Sequence, residues 1–437
     1  VSSDHWYILL GVLLAGITLT AKLIERLPMS TAMVYFAIGV LIGPHGFHIV
    51  RLDLSGDAAL LEHAAEAAVL ISLFTTGLKL RAPLTDYGWS IASRLVSVSM
   101  LLTMLIAAWV ASLVLSFPPA AALLLAAMIA PTDPVLASEV QVTGPFDRSR
   151  IRFGLTGEAG LNDGAAMPAV LLGLAAVEHG TLWNGAVIAR DLAAVFAGAA
   201  AGFGIGYAVG RLALRLRAGR QIAGRYNDFL TLGLMAMTYG MTQIAGLNGF
   251  VAVFAAGYAL RRIEMRTAEV AGSQLEVLPL SKEGREALAR DPVAGPQYLA
   301  ATMLVFNEHY ERVAELTMVI VLGILFPVAA LSWSAVTFAV LIMVIARPVA
   351  VFAGLIGSRC TTIDRAYMGW FGLRGLASLY YLEFAIRRDL PSALVEPIGV
   401  VVMTVIGLSI LVHGLSATPL MRALERRQPR GNIAAGS

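Results

Sequence analysis

The chain has 437 residues, of which 58% are hydrophobic and only 14% charged, and its mean hydropathy is +0.75. That balance excludes soluble domains and large extramembrane domains, and it leaves room for about thirteen spans of roughly 20 residues. The apolar runs are long and continuous, which disfavours a transmembrane β-barrel. The single cysteine, Cys360, excludes an internal disulfide and a thiolate metal cluster, and the formal charge of +3 comes from 29 Arg and 3 Lys against 29 acids.

In chain order, spans are expected at 6–27, 29–48, 62–80, 92–116, 119–141, 151–177, 187–213, 227–245, 247–262, 313–332, 334–356, 364–387 and 392–414. The first follows the acidic Asp4 and precedes Lys22, Glu25 and Arg26, the reverse of a signal peptide, so it is read as a retained span. Alternate loops collect Arg148, Arg150 and Arg152, the run from Arg211 to Arg225, Arg261, Arg262 and Arg266, and finally Arg422, Arg426 and Arg427. The opposite loops hold only Arg51, Arg387 and Arg388, so the positive-inside rule places the N-terminus outside and the C-terminus in the cytoplasm. The basic charge is then a topology signal and nucleic acid is not needed as a partner.

Residues 1–420 read as one transmembrane domain, with 263–312 a polar cytoplasmic insert holding one or two surface helices. Residues 421–437 form a basic cytoplasmic tail expected to be disordered. Gly198, Gly202, Gly206 and Gly210 put small residues on one face of the span at 187–213, for packing inside one subunit or, as the weaker reading, for a dimer seam. The histidines, among them His45, His48, His179 and His413, sit at expected span ends without metal-ligand spacing.

Ionisable residues at span centres cost about 2.5–3.5 kcal/mol each on insertion scales, which makes each a functional candidate. Asp133 stands in IAPTDPVLAS, Glu158, Asn162 and Asp163 in TGEAGLNDGAAMP, and Arg374 in FGLRGLAS. Pro131 and Pro134 remove amide donors, so the span either kinks or breaks, and a break frees the carbonyls near Thr132, with its hydroxyl, to ligate a cation. The glycines around Arg374 make a second weak point. If two broken helices cross, Asp133 balances positive helix ends and Arg374 negative ones; a direct Asp133–Arg374 ion pair is the alternative. Three acids against one Arg leave two negative charges in excess, which a proton or a bare monovalent cation must offset. Arg347, beside Pro348, suits either the inner vestibule or snorkelling to the surface.

At these residues the chain resembles the electroneutral branch of the monovalent cation:proton antiporters, which includes bacterial sodium/proton antiporters and the eukaryotic sodium/proton exchangers. The resemblance rests on GEAGLNDG, PTDP and GLRG, with looser support from VYFAIGVLIGPHGF, LFTTGLKL and NGFVAVFAAGYALR. It implies an all-α polytopic membrane protein with inverted repeats and two broken crossing helices. It implies electroneutral exchange of Na⁺, Li⁺ or K⁺ for H⁺ by alternating access. Asp163 would carry either ion, Thr132 would lend its carbonyl and hydroxyl to the metal ion, and Asn162 would replace a second Asp of electrogenic relatives. Glu158 would be a ligand or the partner of Arg374. Ala159 stands where several prokaryotic relatives have Ser. No cofactor and no enzymatic activity are expected; a homodimer in a bacterial inner membrane is. A cation channel and a sodium-coupled symporter are the rival classes: the first favours rings from identical subunits, and the second needs an organic-substrate pocket.

Overall fold

The computed structural model describes residues 29–133, 136, 140–142, 144, 147, 149–180, 185–219, 227–271, 288–292 and 294–427, with isolated positions between 11 and 22. Among them every principal element is a helix: α1 (Thr31–Ile42), α2 (Ala58–Lys79), α3 (Tyr87–Val114), α4 (Pro119–Ile129), α5 (Arg150–His179), α6 (Gly185–Gly219) and α7 (Asn227–Ile244). Then follow α8 (Gly249–Ala271), α9 (Ala294–Ile324), α10 (Trp333–Gly354), α11 (Thr362–Trp370), α12 (Leu376–Ile386) and α13 (Ser392–Arg427). Six of these, α2, α3, α5, α6, α10 and α13, are long and apolar enough to cross a membrane. The shorter apolar helices α1, α4 and α12 lie beside them. Each span expected from residue 29 onward falls on a helix or on two half-helices; the span at 6–27, Pro134 and the tail beyond 427 fall largely or wholly outside the described residues.

The main apolar core runs through Leu73, Leu124, Leu155, Phe338, Leu379 and Val402, with two smaller clusters around Val253 and around Ile320. Close helix approach depends on small residues, because apolar lipid gives helices no reason to associate except fit and hydrogen bonding. Gly198, Gly202 and Gly206 of α6 seat directly on the backbone of Asn248, just before α8, and of Ala252 and Ala256 in α8. The four-residue glycine stripe is therefore an internal packing face and is not available as a dimer seam. One expected loop arginine is likewise internal: Arg261 donates to Leu78 O at 2.5 Å, and nearby Glu264 pairs with Arg81 at 2.9 Å.

Three expectations change. Residues 421–427 of the tail, expected to be disordered, are the end of α13. The insert is shorter than 263–312, because α8 continues to Ala271 and α9 begins at Ala294. The charge-tipped NEHYER run belongs to α9, packed in the bundle: Asn307 and Glu311 are buried, and Glu311 accepts from Ser72 Oγ at 2.7 Å and pairs with Lys79 at 3.2 Å. The buried acid of this run, Glu311, is satisfied across helices, while His309 and Arg312 remain exposed. His413, expected at a span end, is buried well inside α13, because that helix runs on to Arg427.

The two halves use the same devices in the same order. A helix with a π-turn (95–99 in α3, 342–346 in α10) is followed by a short helix that ends in unwound chain (α4 before 130–133, α11 before 371–375), and later by a long helix, α5 or α13. π-Turns mark local adjustments of the helical ladder and gather near functional sites. Arg94 of α3 ties the halves together, donating to the Ile356 carbonyl just past α10 at 2.8 Å.

Candidate ion-binding site at the crossing of two broken helices

α4 stops at Ile129, since Pro131 has no amide hydrogen to continue the ladder, and Thr132 and Asp133 are unwound. In the second half, α11 ends at Trp370 and α12 starts at Leu376, leaving 371–375 unwound. The two breaks touch: the Asp133 N–H donates to Leu373 O at 2.8 Å. Gly375 is required here by space, since a Cβ would run into the Asp133 carboxylate and the Leu136 side chain.

Each charged residue at the crossing serves helix ends of the opposite sign. The Arg374 guanidinium donates through Nε to Ile129 O, the end of α4, at 3.0 Å, and through Nη1 to Gly372 O just beyond α11. The Asp133 carboxylate accepts from the Leu376 N–H at the start of α12. This is the helix-end reading of the sequence, reached by residues 241 positions apart. Arg374 itself is completely buried, and its own N–H is held by Ser409 Oγ at 2.9 Å.

α5 passes alongside. Ser149 caps its start, accepting from the Arg152 N–H. Asn162 Nδ2 donates to both Thr132 O, at 2.9 Å, and Thr132 Oγ1, at 2.7 Å. Asn162 thus pins the first break to α5 while its own Oδ1 has no hydrogen-bond partner among the described residues. Glu158 is not paired with Arg374. Its carboxylate meets Arg347 of α10 in a bidentate pair of 2.6 and 2.7 Å, with both side chains about 1% exposed. Arg347, left open between vestibule and snorkelling by sequence, is a buried partner. Its signal was present in the chain as an Arg–Pro inside an apolar span, but nothing local named the acid it meets.

Asp163 is the exception. It is buried at 1% exposure, and neither carboxylate oxygen has a hydrogen-bond partner among the described residues. Its backbone carbonyl accepts from the Tyr381 hydroxyl of α12, which locks this turn of α5 to the second broken unit. With Arg347 included, the cluster holds three acids (Asp133, Glu158 and Asp163) and two arginines (Arg347 and Arg374), so the formal excess is one negative charge and not two. Ser378, one turn before Tyr381 on the same face of α12, is also buried with an unpartnered hydroxyl, a group the sequence reading did not single out.

Residues 9–282 match the family described as sodium/hydrogen exchanger, transmembrane. The chain belongs to the sodium/hydrogen exchanger family. It is 23% identical over 431 residues to the K(+)/H(+) antiporter NhaP of Alkalimonas amylolytica, covering 97% of this chain and 67% of that protein. It is 30% identical over 249 residues to the Na(+)/H(+) antiporter 2 of Zygosaccharomyces rouxii, covering 54% of this chain and only 30% of that longer protein. The fold matches the sodium proton antiporter MjNhaP1 of Methanocaldococcus jannaschii, in its pH 8 structure with a TM-score of 0.69 over 95% of this chain and 97% of that one. The electron-microscopy map of MjNhaP1 gives 0.73 over 98% and 100%; identity is 19% in both cases, so the likeness speaks for the fold. This exchanger-family chain is an integral membrane protein with the antiporter fold.

Proposed function

We propose that this protein exchanges a monovalent cation for a proton across the membrane by competition of the two ions for Asp163. The observation that carries this reading is the unpartnered, fully buried Asp163 carboxylate beside the crossing breaks. Burying a bare carboxylate costs several kcal/mol, and the site offers it no arginine, so it holds either a proton or a cation. Asn162 Oδ1 and the Thr132 hydroxyl, with carbonyls freed by the breaks, supply neutral oxygens suited to a hard monovalent ion. In this reading Asn162 and Thr132 complete the ligand set, Glu158 is a structural partner of Arg347, and Asp133 and Arg374 stabilise the helix ends.

Alternating access follows if the crossed unit presents Asp163 first to one side and then to the other. Whichever ion occupies it, the carboxylate carries one positive charge, so the loaded site crosses in the same charge state both ways and exchange is electroneutral. We assign the protein to a bacterial inner membrane, N-terminus outside and C-terminus cytoplasmic, from the arginine bias of the loops. A homodimer remains part of this reading, with a seam other than the α6 glycine stripe, which α8 already covers.

The test is an ion panel on purified protein in proteoliposomes, with a pH-sensitive dye inside and Li⁺, Na⁺ or K⁺ gradients imposed without organic solute. Proton movement opposite to at least one cation, unaltered by a clamped membrane potential, is the expected result. Cation flux without proton movement would make it a channel, and a requirement for an organic solute would make it a symporter.

A further inference from the structure

A second buried carboxylate lies outside the crossing. Glu383 is the last acid of α12, completely buried, and neither of its carboxylate oxygens has a hydrogen-bond partner among the described residues. It stands about 10 Å along the helix from Leu376, by the rise of 1.5 Å per residue, and therefore between the crossing and the end of α12 at Arg387 and Arg388. Four residues on, Arg387 shares its helix face, yet Arg387 is committed elsewhere: it pairs with Glu62 of α2 at 2.6 Å, and Arg388 approaches the same carboxylate at 3.8 Å.

Glu62, Asp53 and Asp57 are all within electrostatic reach of Glu383, Glu62 being the acid that holds Arg387 and Arg388. One helical turn beyond Glu62, Glu66 accepts from the Tyr239 hydroxyl, and Tyr239 in turn accepts from Gln243 Nε2 at 2.8 Å. Gln243 lines a cavity of about 430 Å³ whose walls also include Asp191, Phe250, Phe384 and Arg388. The Arg388 guanidinium lies over the Phe384 ring at 3.5 Å, next in sequence to Glu383. On the inner side Tyr381, two residues before Glu383, reaches the Asp163 carbonyl.

We propose that Glu383 is a second cation-binding carboxylate, a way-station for the monovalent cation between the cavity beside Arg388 and the site at Asp163. An unpartnered buried acid is costly to keep, and the surrounding acids make a cation the group that relieves it. Both available arginines are engaged by Glu62, which reproduces at Glu383 the arrangement at Asp163: a cluster with its arginines spent and one carboxylate left to the transported ion. This inference rests on the exchange reading above.

The test compares wild type, Glu383→Gln and Glu383→Asp in proteoliposomes of sorted orientation, with Na⁺ and K⁺ supplied from one face at a time. Glu383→Gln raises the KM for the cation about tenfold from the face bearing Arg387 and Arg388, as loss of one charge-assisted contact would. The opposite face is unaffected, and Glu383→Asp restores part of the difference. A second measurement needs no change at Glu383: radiolabelled Na⁺ and K⁺ binding to Asp163→Asn protein, where weak residual binding is expected, and its loss when Glu383→Gln is added. An unchanged KM, an equal rise on both faces, or no residual binding to Asp163→Asn overturns the proposal. If wild type exchanges no cation for protons, the exchange reading fails, whereas the binding experiment still judges Glu383 by itself.

Discussion

Asp163→Asn abolishes exchange to the level of empty liposomes while the protein folds and melts as wild type does. The substitution keeps the shape of the side chain and removes a carboxylate that, among the described residues, has neither an arginine nor a hydrogen bond to lose. Folding therefore loses nothing that Asp163 contributed, and transport loses its carrier. Dye-monitored exchange and a thermal melt of the same preparation decide it. Retained exchange would move the carrier to another acid, and a collapsed melt would mean the carboxylate has a structural partner after all.

Arg347→Ala is the counterpart, with its largest effect on stability. It leaves Glu158 as an uncompensated buried anion, and breaking such a pair costs about 3–5 kcal/mol. It also raises the formal excess at the crossing from one negative charge to two. Replacing both partners, Glu158→Leu with Arg347→Leu, removes both charges together and restores the excess to one. That double variant is expected to recover most of the stability, because apolar replacement of a buried pair is often neutral or better. Thermal unfolding in detergent of the two single variants and the double variant checks this. A double variant that melts as low as Arg347→Ala would show that packing around Arg347, and not its charge, is what matters.

The places where sequence and structure agree share one physical feature. Pro131, the glycines around Arg374 and the acids of GEAGLNDG each violate a rule of apolar helices locally, and a local violation can be read from one segment. The breaks and the helix-end contacts of Asp133 and Arg374 lie where those violations occur. What could not be read are choices of partner. Glu158 meets Arg347, 189 residues away, and not Arg374, because α10 packs on α3 and α11, which in turn pack on α5; no spacing along the chain encodes that. Glu383 escaped notice for a related reason. An acid near a span end, followed by Arg387 and Arg388, has the pattern of an ordinary interfacial charge, and only the packing of α2 against α12 buries it and diverts its arginine to Glu62. The length of α9 was hidden in the same way, the charge of its buried Glu311 being neutralised by Lys79 of another helix, with a further hydrogen bond from Ser72.

The central claim is that one carboxylate serves both ions, and it is tested most directly by cation affinity measured from pH 5 to pH 9. If protons and cations compete for Asp163, the apparent dissociation constant for the cation rises about tenfold for each pH unit below the protonation midpoint of the site and levels off above it, as linkage requires. Exchange then follows a bell in pH, limited by cation binding on the acid side and by proton supply on the alkaline side. The same dependence is expected in a variant with every histidine substituted, since the sensing resides in the carboxylate. An affinity that is flat with pH in the wild type, or a dependence that disappears with the histidines, would contradict the single-site account.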